Sequence, residues 1–137
     1  MSKKTQDILI EKATAARERS YAPYSDFSVG AALLCADGSI YTGANIENAS
    51  FTPTVCAERV AFFSAIHDGH SDFVAIAVIG GKKGLAADKY CPPCGVCRQV
   101  MSEFCKGDFQ IILAGENEPL VLTLDELMPY RFDLMNK

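Results

Sequence analysis

The spacing of apolar residues along the chain predicts helices and strands in a definite order. Residues 5–20 carry apolar positions such as Leu9 and Ala13 at helical spacing, together with many good helix formers. We expect a first helix there, which cannot continue through Pro23. Two strand-like runs follow and flank the Ala-Asp-Gly sequence at 36–38, and an Asp-Gly pair is typical of a β-hairpin turn.

A second helix and a buried strand are predicted in the middle of the chain. The helix should span about residues 55–68, with Thr54 as its N-cap and Gly69 just past its end. The run FVAIAVIGG that follows is almost continuously apolar. This pattern is typical of a strand covered on both faces.

The last third of the chain repeats the alternation of helix and strand. The Pro92–Pro93 pair leads into a third predicted helix over about residues 94–106. The runs QIILA and LVLT predict two more strands. Thr123 and Glu126 form a T-x-x-E capping box, which predicts a short final helix.

These elements predict the α/β class, with a three-layer α/β/α sandwich around a mixed sheet of about five strands. The 137 residues, 49% of them apolar, fit a single domain over residues 1–137. No apolar run approaches the roughly 20 residues of a membrane span, and the charged N-terminus is unlike a secretory signal. We therefore expect a soluble, cytoplasmic protein. The net charge of −4 weighs against a nucleic-acid partner, which usually requires a basic face.

Six cysteines are many for a chain of this length. In a secreted protein they would suggest three disulfides, but clustered cysteines in a reducing cytosol more often hold metal or do chemistry. Cys91, Cys94 and Cys97 lie within seven residues of one another. This crowding favours a metal site.

The sequence places candidate metal ligands at the start of two predicted helices. Cys94 and Cys97 are three residues apart, so their sulfurs share one helix face. Cys56 begins the other helix, and converging helix N-termini favour thiolates. Three thiolates would bind zinc and leave its fourth position to water, as in a catalytic site. The resulting net charge of −1 needs an offset, which Arg59 could supply through hydrogen bonds to the sulfurs.

Glu58 follows the first of these ligands by two residues. As a fourth ligand it would close the site, whereas beside a zinc-bound hydroxide it could act as a general acid and base. The order of a ligand, one residue, Glu and a later P-C-x-x-C is the signature described for zinc deaminases.

The chain resembles the small, homotetrameric cytidine deaminases whose zinc site is all cysteine. The resemblance rests on the fragments FSVGAALL, GANIENAS, CAERVA and PPCGVCRQ and runs from about residue 21 to 127. It implies one Zn²⁺ per subunit, sites shared between subunits, and hydrolytic deamination of free cytidine and deoxycytidine in pyrimidine salvage. Zinc-bound hydroxide would attack C4 of the cytosine while Glu58 shuttles protons.

The resemblance also implies a role for each matching residue. The zinc ligands would be Cys56, Cys94 and Cys97. The substrate would contact Phe27 at the pyrimidine, Asn45 and Glu47 at the ribose hydroxyls, Ala57 at the cytosine edge, and Phe132 from a neighbouring subunit. Phe51 departs from the family, which often has Tyr there, so the resemblance does not extend to the sugar contact that the Tyr hydroxyl would make.

Other interpretations of the same residues remain open. Cys91 could be a fourth ligand of a closed structural zinc site, and an iron–sulfur cluster would need a cysteine where Met101 stands. The family also has relatives that deaminate the antibiotic blasticidin S or bases in a polynucleotide. A zinc-stabilised binding module without catalysis is a further alternative. His67 and His70 are interpreted as surface residues near a helix C-terminus.

Overall fold

The computed structural model describes residues 1–134, and its elements follow the predicted order. Helix α1 (Lys3–Ala16) is extended by a 3₁₀ turn (Arg17–Arg19). The later helices are α2 (Ala57–His67), α3 (Gly95–Phe104) and α4 (Leu124–Leu127). The strands are β1 (Phe27–Cys35), β2 (Ile40–Ala44), β3 (Phe73–Lys82), β4 (Gln110–Leu113) and β5 (Leu120–Thr123). Within the described part of the chain, no helix has the length and apolar character needed to cross a bilayer.

The five strands form one mixed sheet in the order β2-β1-β3-β4-β5, as predicted. β1 pairs with β2 and β3 in antiparallel fashion, β3 pairs with β4 in parallel, and β4 pairs with β5 in antiparallel fashion. The central strand β3 is buried continuously from Ala75 to Gly81. This burial confirms that helices cover the sheet on both faces.

Successive residues of the central strand point into two different cores. Ile76 and Val78 join the larger core, which also holds Phe62 of α2 and Met101 of α3. The intervening alanines of β3 face the second core, which α1 closes with Leu9. This period of two is the pleat of a strand, and it places α1 on one face and α2 and α3 on the other. The predicted three-layer sandwich is confirmed.

The prediction that Thr54 caps the second helix is wrong. The Thr54 hydroxyl accepts a hydrogen bond from the Asn48 amide at 3.0 Å. Val55 exchanges two backbone hydrogen bonds with Ile46, at 2.9 and 3.0 Å, which keeps the chain extended there. Cys56 is therefore the N-cap of α2, with φ −77° and ψ 156°. This backbone pairing moves the start of the helix two residues toward the C-terminus and places a cysteine at the N-cap.

Helix α2 lies directly on strand β2 at Gly43. An added Cβ at Gly43 would lie 2.7 Å from the Ala61 amide nitrogen and still closer to the Ala57 carbonyl oxygen. Both of these atoms belong to the helix backbone, which cannot move aside as a side chain could. The absence of a side chain at Gly43 therefore sets the distance between α2 and the sheet.

We expect Gly43→Ala to lower the free energy of unfolding by about 1–3 kcal/mol, because the methyl group overpacks a backbone contact. Urea denaturation measures the change. Gly95→Ala is the matched control, since an added Cβ there meets no atom within 4 Å and alanine favours helix. Equal stability of Gly43→Ala and the unaltered protein would show that α2 does not depend on this contact.

Candidate active site

Three cysteine sulfurs meet where α2 and α3 begin. Cys56 and Cys94 are the N-caps of the two helices, and neither side chain forms the usual capping hydrogen bond. Cys97 lies within the first turn of α3 and is buried. The Sγ atoms of Cys56 and Cys94 are 3.7 Å apart, and all three sulfurs lie within 4.8 Å of one another.

This cluster fits a tetrahedral zinc ion. With zinc–sulfur bonds of about 2.3 Å and tetrahedral angles, two sulfur ligands lie about 3.8 Å apart. The separation of Cys56 and Cys94 already matches that value. Three sulfur ligands also leave a fourth position, because the cluster of Cys56, Cys94 and Cys97 includes no further His, Cys or acidic group among residues 1–134. Cys91, the alternative fourth ligand, is not part of it.

Arg59 supplies positive charge to the cluster. Its Nη2 donates to the Cys56 sulfur at 3.4 Å, while its Nε is buried without a hydrogen-bond partner among the described residues. The Cys97 thiol donates to the Cys56 sulfur, and together with Arg59 it holds the pKa of Cys56 well below its ordinary value. These two hydrogen bonds therefore favour the thiolate form of Cys56, which is the form that binds metal.

Glu58 lies in the same turn of α2 and is only 4% exposed. Burial raises the pKa of Glu58 to about 7, and the negative charge of Cys56 adds to this effect. A carboxyl group with such a pKa can both accept and give a proton near neutral pH. Its position two residues after Cys56 places it beside the sulfur cluster, as the sequence predicts.

A cleft of about 430 Å³ opens beside the cluster, within the size range of sites for small ligands. Most of the residues predicted to bind substrate or metal line it. They are Phe27, Asn45, Glu47, Cys56, Ala57, Glu58 and Cys94. The fold thus brings the start of β1, the end of β2 and the first turns of α2 and α3 to one cavity.

Asn45 links the end of β2 to the start of β1 beneath the cleft. Its Oδ1 accepts from the Val29 amide at 2.8 Å, and its Nδ2 donates to the Phe27 carbonyl at 2.9 Å. The side chain is buried, yet an amide group retains one further donor and one further acceptor. Asn45 therefore fixes the backbone of Phe27 and can still bind a ligand.

Glu47 is held by a turn that the sequence analysis did not single out. Its Oε1 accepts from the Tyr24 and Ser25 amides, each at 3.0 Å, and its Oε2 accepts a short hydrogen bond from the Ser25 hydroxyl. These bonds, the one from the Ser25 hydroxyl above all, lower the pKa of Glu47. The Glu47 carboxylate is therefore fixed and charged, and the residue lines the cleft. The Pro-Tyr-Ser-Asp run, typical of a turn, was the only local signal for Ser25.

Two further residues lie near the site: Arg98, to which the sequence analysis assigned no role, and Cys91, the alternative fourth ligand. Arg98 donates to the Pro93 carbonyl at 2.8 Å and to the Leu127 carbonyl at 3.0 Å, which ties the start of α3 to α4. The segment carrying Cys94 is thereby held in place. Cys91 lines the cleft without joining the cluster, and burial raises its pKa to about 11. It is therefore a thiol rather than a thiolate at neutral pH.

Phe132 and Phe51 do not line the cleft within one chain. Phe132 is 67% exposed, and its carbonyl accepts a hydrogen bond from Gln99 at 3.2 Å. Phe51 is 73% exposed, has a positive φ of 47°, and packs edge-on against Tyr24. Both rings are available to a second chain, and the prediction for Phe132 stays a prediction.

Comparison with known proteins identifies relatives along most of the chain. The family model for the cytidine and deoxycytidylate deaminase zinc-binding region matches residues 3–113. A cytidine deaminase of Halalkalibacterium halodurans is 48% identical over 128 residues, 93% of each chain. One of Sporosarcina psychrophila is 46% identical, over 90% of this chain and 88% of its own. The crystal structure of cytidine deaminase from Burkholderia pseudomallei superposes with a TM-score of 0.85 at 43% identity, over 96% of this chain and all of that one.

We expect Cys97→Ala to lose its zinc on dialysis against a mild chelator, because two sulfurs alone bind the ion far less tightly than three. Metal content measured by mass spectrometry tests this. Cys105→Ala is the control, since Cys105 is also buried and on the same side of the sheet but outside the cluster. A Cys97→Ala protein with the zinc content of the control would exclude Cys97 as a ligand.

Proposed function

The chain belongs to the cytidine and deoxycytidylate deaminase family, and we propose that it hydrolyses the amino group of free cytidine and deoxycytidine. The products are the uracil nucleosides and ammonia. One observation carries the proposal: a buried carboxyl group, Glu58, lines a nucleoside-sized cleft two residues from a cysteine of the metal cluster. Binding of a structural metal would need neither the cleft nor the carboxyl group.

The proposed mechanism divides the work between the metal and the protein. Cys56, Cys94 and Cys97 would hold a zinc ion, which would lower the pKa of water and so supply a nucleophile at neutral pH. The Glu58 carboxylate accepts a proton from the attacking water and delivers it to N3 of the cytosine ring. Glu58 then takes the remaining proton of that water from the new hydroxyl group on C4 and transfers it to the amino nitrogen, which leaves as ammonia as C4 becomes a carbonyl.

Recognition of the base would use the walls of the cleft. Phe27, at the first position of β1, presents an aromatic face on which a pyrimidine can pack. The backbone of Ala57 and the carboxyl group of Glu58 lie in the first turn of α2 and would bind the polar edge of the cytosine. Because these groups sit on a helix and a strand, they need little ordering when substrate binds.

Recognition of the sugar would use Asn45 and Glu47. Glu47 is an acceptor already oriented by the Tyr24–Ser25 turn, and the Asn45 amide can both donate and accept. Sugar hydroxyls satisfy these groups, whereas a nucleoside that lacks both the 2′- and the 3′-hydroxyl would leave the pair without partners. Such a site discriminates strongly against the analogue.

Assembly as a homotetramer, with sites shared between subunits, belongs to the same proposal. Phe51, Tyr24 and Phe132 are exposed aromatic side chains, and the first two lie beside the mouth of the cleft. Large exposed apolar groups commonly mark interaction surfaces. The same proposal includes pyrimidine salvage. It also includes a cytoplasmic location, since none of the six cysteines, all within residues 1–134, forms a disulfide and a thiolate metal site needs a reducing compartment.

We expect Glu58→Gln to retain zinc and to lower kcat for cytidine by about 10²–10⁴-fold, because the amide binds substrate but cannot transfer protons. Spectrophotometric assay of uridine formation and metal analysis of the same sample give both values. Glu11→Gln, an exposed substitution on α1, controls for the change of charge. Unchanged turnover in Glu58→Gln would disprove the proton transfer and leave a zinc-stabilised binding module as the better interpretation.

We expect Glu47→Gln to lower kcat/KM for cytidine by about 10-fold to 10²-fold, the effect of weakening hydrogen bonds to a charged group. For 2′,3′-dideoxycytidine, which lacks the hydroxyls, the same substitution should change little. Measuring both substrates separates sugar recognition from a general disturbance of the turn. An equal loss with both nucleosides would contradict the assignment of Glu47 to the ribose.

A further inference from the structure

A second cluster of metal-binding side chains lies at the far end of α2. Cys35, Asp37 and His70 each offer one ligand atom, and these atoms lie within 4.8 Å of one another. The three residues come from the end of β1, from the β1–β2 turn and from the segment after α2. The reaction proposed above uses none of them.

The distance within this cluster suits a bridging ion better than a direct contact. His70 Nδ1 and Asp37 Oδ2 are 3.7 Å apart. This is too long for a hydrogen bond, which needs about 2.7–3.2 Å. With metal–ligand bonds of about 2.0–2.1 Å and tetrahedral angles, a nitrogen and an oxygen ligand lie about 3.4 Å apart. A movement of a few tenths of an ångström would bring these two atoms to that separation.

The hairpin that carries Cys35 and Asp37 is fixed by local hydrogen bonds. Asp37 Oδ1 accepts from the Ser39 amide at 2.9 Å, which leaves Oδ2 directed toward His70. The register of β1 against β3 shifts between Leu34 and Cys35. Such bulges often redirect a side chain next to a functional site. The Cys35 side chain is 1% exposed, so the metal would have one ligand in the core and two at the surface.

His70 is fixed just as firmly by the end of α2. The Gly69 amide donates to the Ile66 carbonyl and the His70 amide to the Ala65 carbonyl, each at 3.0 Å, which is a Schellman motif. Gly69 has a φ of 97°, which favours glycine at this position. The imidazole then packs edge-on against Tyr41, with ring centroids 5.1 Å apart. The backbone and the ring of His70 therefore have little freedom before any ion binds.

We propose that Cys35, Asp37 and His70 form a second site for a divalent metal ion such as zinc. One thiolate, one carboxylate and one neutral imidazole would balance the charge of the ion. Sulfur and imidazole ligands favour zinc over magnesium or calcium. Binding releases the thiol proton of Cys35 to solvent and fastens the β1–β2 hairpin to the C-terminal end of α2.

This second site is separate from the catalytic cluster. Cys56 caps the N-terminal end of α2, and His70 follows its C-terminal end. The 11 residues of the helix at 1.5 Å each put about 16 Å between the two ends. Loss of one ion should therefore leave the other in place, so the two assignments can fail independently.

The test counts metal ions per chain. The protein is equilibrated with excess zinc and then freed of unbound ion. It should hold about two ions per chain, one at each three-ligand site. Cys35→Ala, Asp37→Asn and His70→Ala should each hold one, with unchanged turnover of cytidine. Asp37→Asn leaves the core intact, so its result stands even if Cys35→Ala folds poorly. His67→Ala, at the exposed last residue of α2, is the matched control and should still hold two.

Combination with the catalytic-site variant separates the two sites. Cys97→Ala should still hold one ion, and Cys97→Ala with His70→Ala should hold none. Cobalt substitution of Cys97→Ala should then show a thiolate-to-cobalt absorption band that vanishes with Cys35→Ala. A single ion in the unaltered protein, or an equal count in His70→Ala, would overturn the second site and leave a weak ion pair between His70 and Asp37.

Discussion

The meeting of two helix N-termini at one group of sulfurs is the constraint on which the rest of this structure depends. Cys56 and Cys94 occupy cap positions that Ser, Thr, Asp or Asn usually fill, and neither forms a capping hydrogen bond. A missing cap costs about 1 kcal/mol per helix. The positive ends of both helix dipoles instead face the sulfurs. The candidate metal ligands and the N-caps of the two helices are therefore the same residues.

Much of the fold could be predicted because local patterns and tertiary packing agree. The Asp-Gly turn, the apolar run of β3 and the capping box at Thr123 and Glu126 were all confirmed. The cap at Thr54 was wrong because Val55 pairs with Ile46, nine residues earlier in the chain. The local sequence contains no sign of that pairing. This backbone pairing therefore sets the helix boundary. It overrides the N-cap preference of Thr54, which is worth about 1 kcal/mol.

The candidate site divides in the same way. The cluster of Cys56, Cys94 and Cys97 could be predicted because metal ligands need particular side chains at particular spacings. Glu58 could be predicted because a proton-transfer group must lie close to the metal. Other residues at the cleft gave no such signal. Asn45 acts through the backbone of β1, and Glu47 is fixed by a turn more than 20 residues earlier in the chain. Only family resemblance pointed to those two, a turn-forming run was the one local signal for Ser25, and nothing pointed to Arg98.

The packing of helix α2 on the sheet fixes the position of the functional residues in its first turn. Its backbone rests on Gly43, and its side chains, Phe62 among them, fill the larger core. Glu58 projects from this fixed helix into the cleft although burial disfavours its charge, which raises the free energy of the folded protein. The apolar side chains that α2 buries in the larger core offset this free-energy cost. The protein thus keeps a buried carboxyl group beside a helix end that lacks a side-chain cap, because the surrounding packing holds both in place.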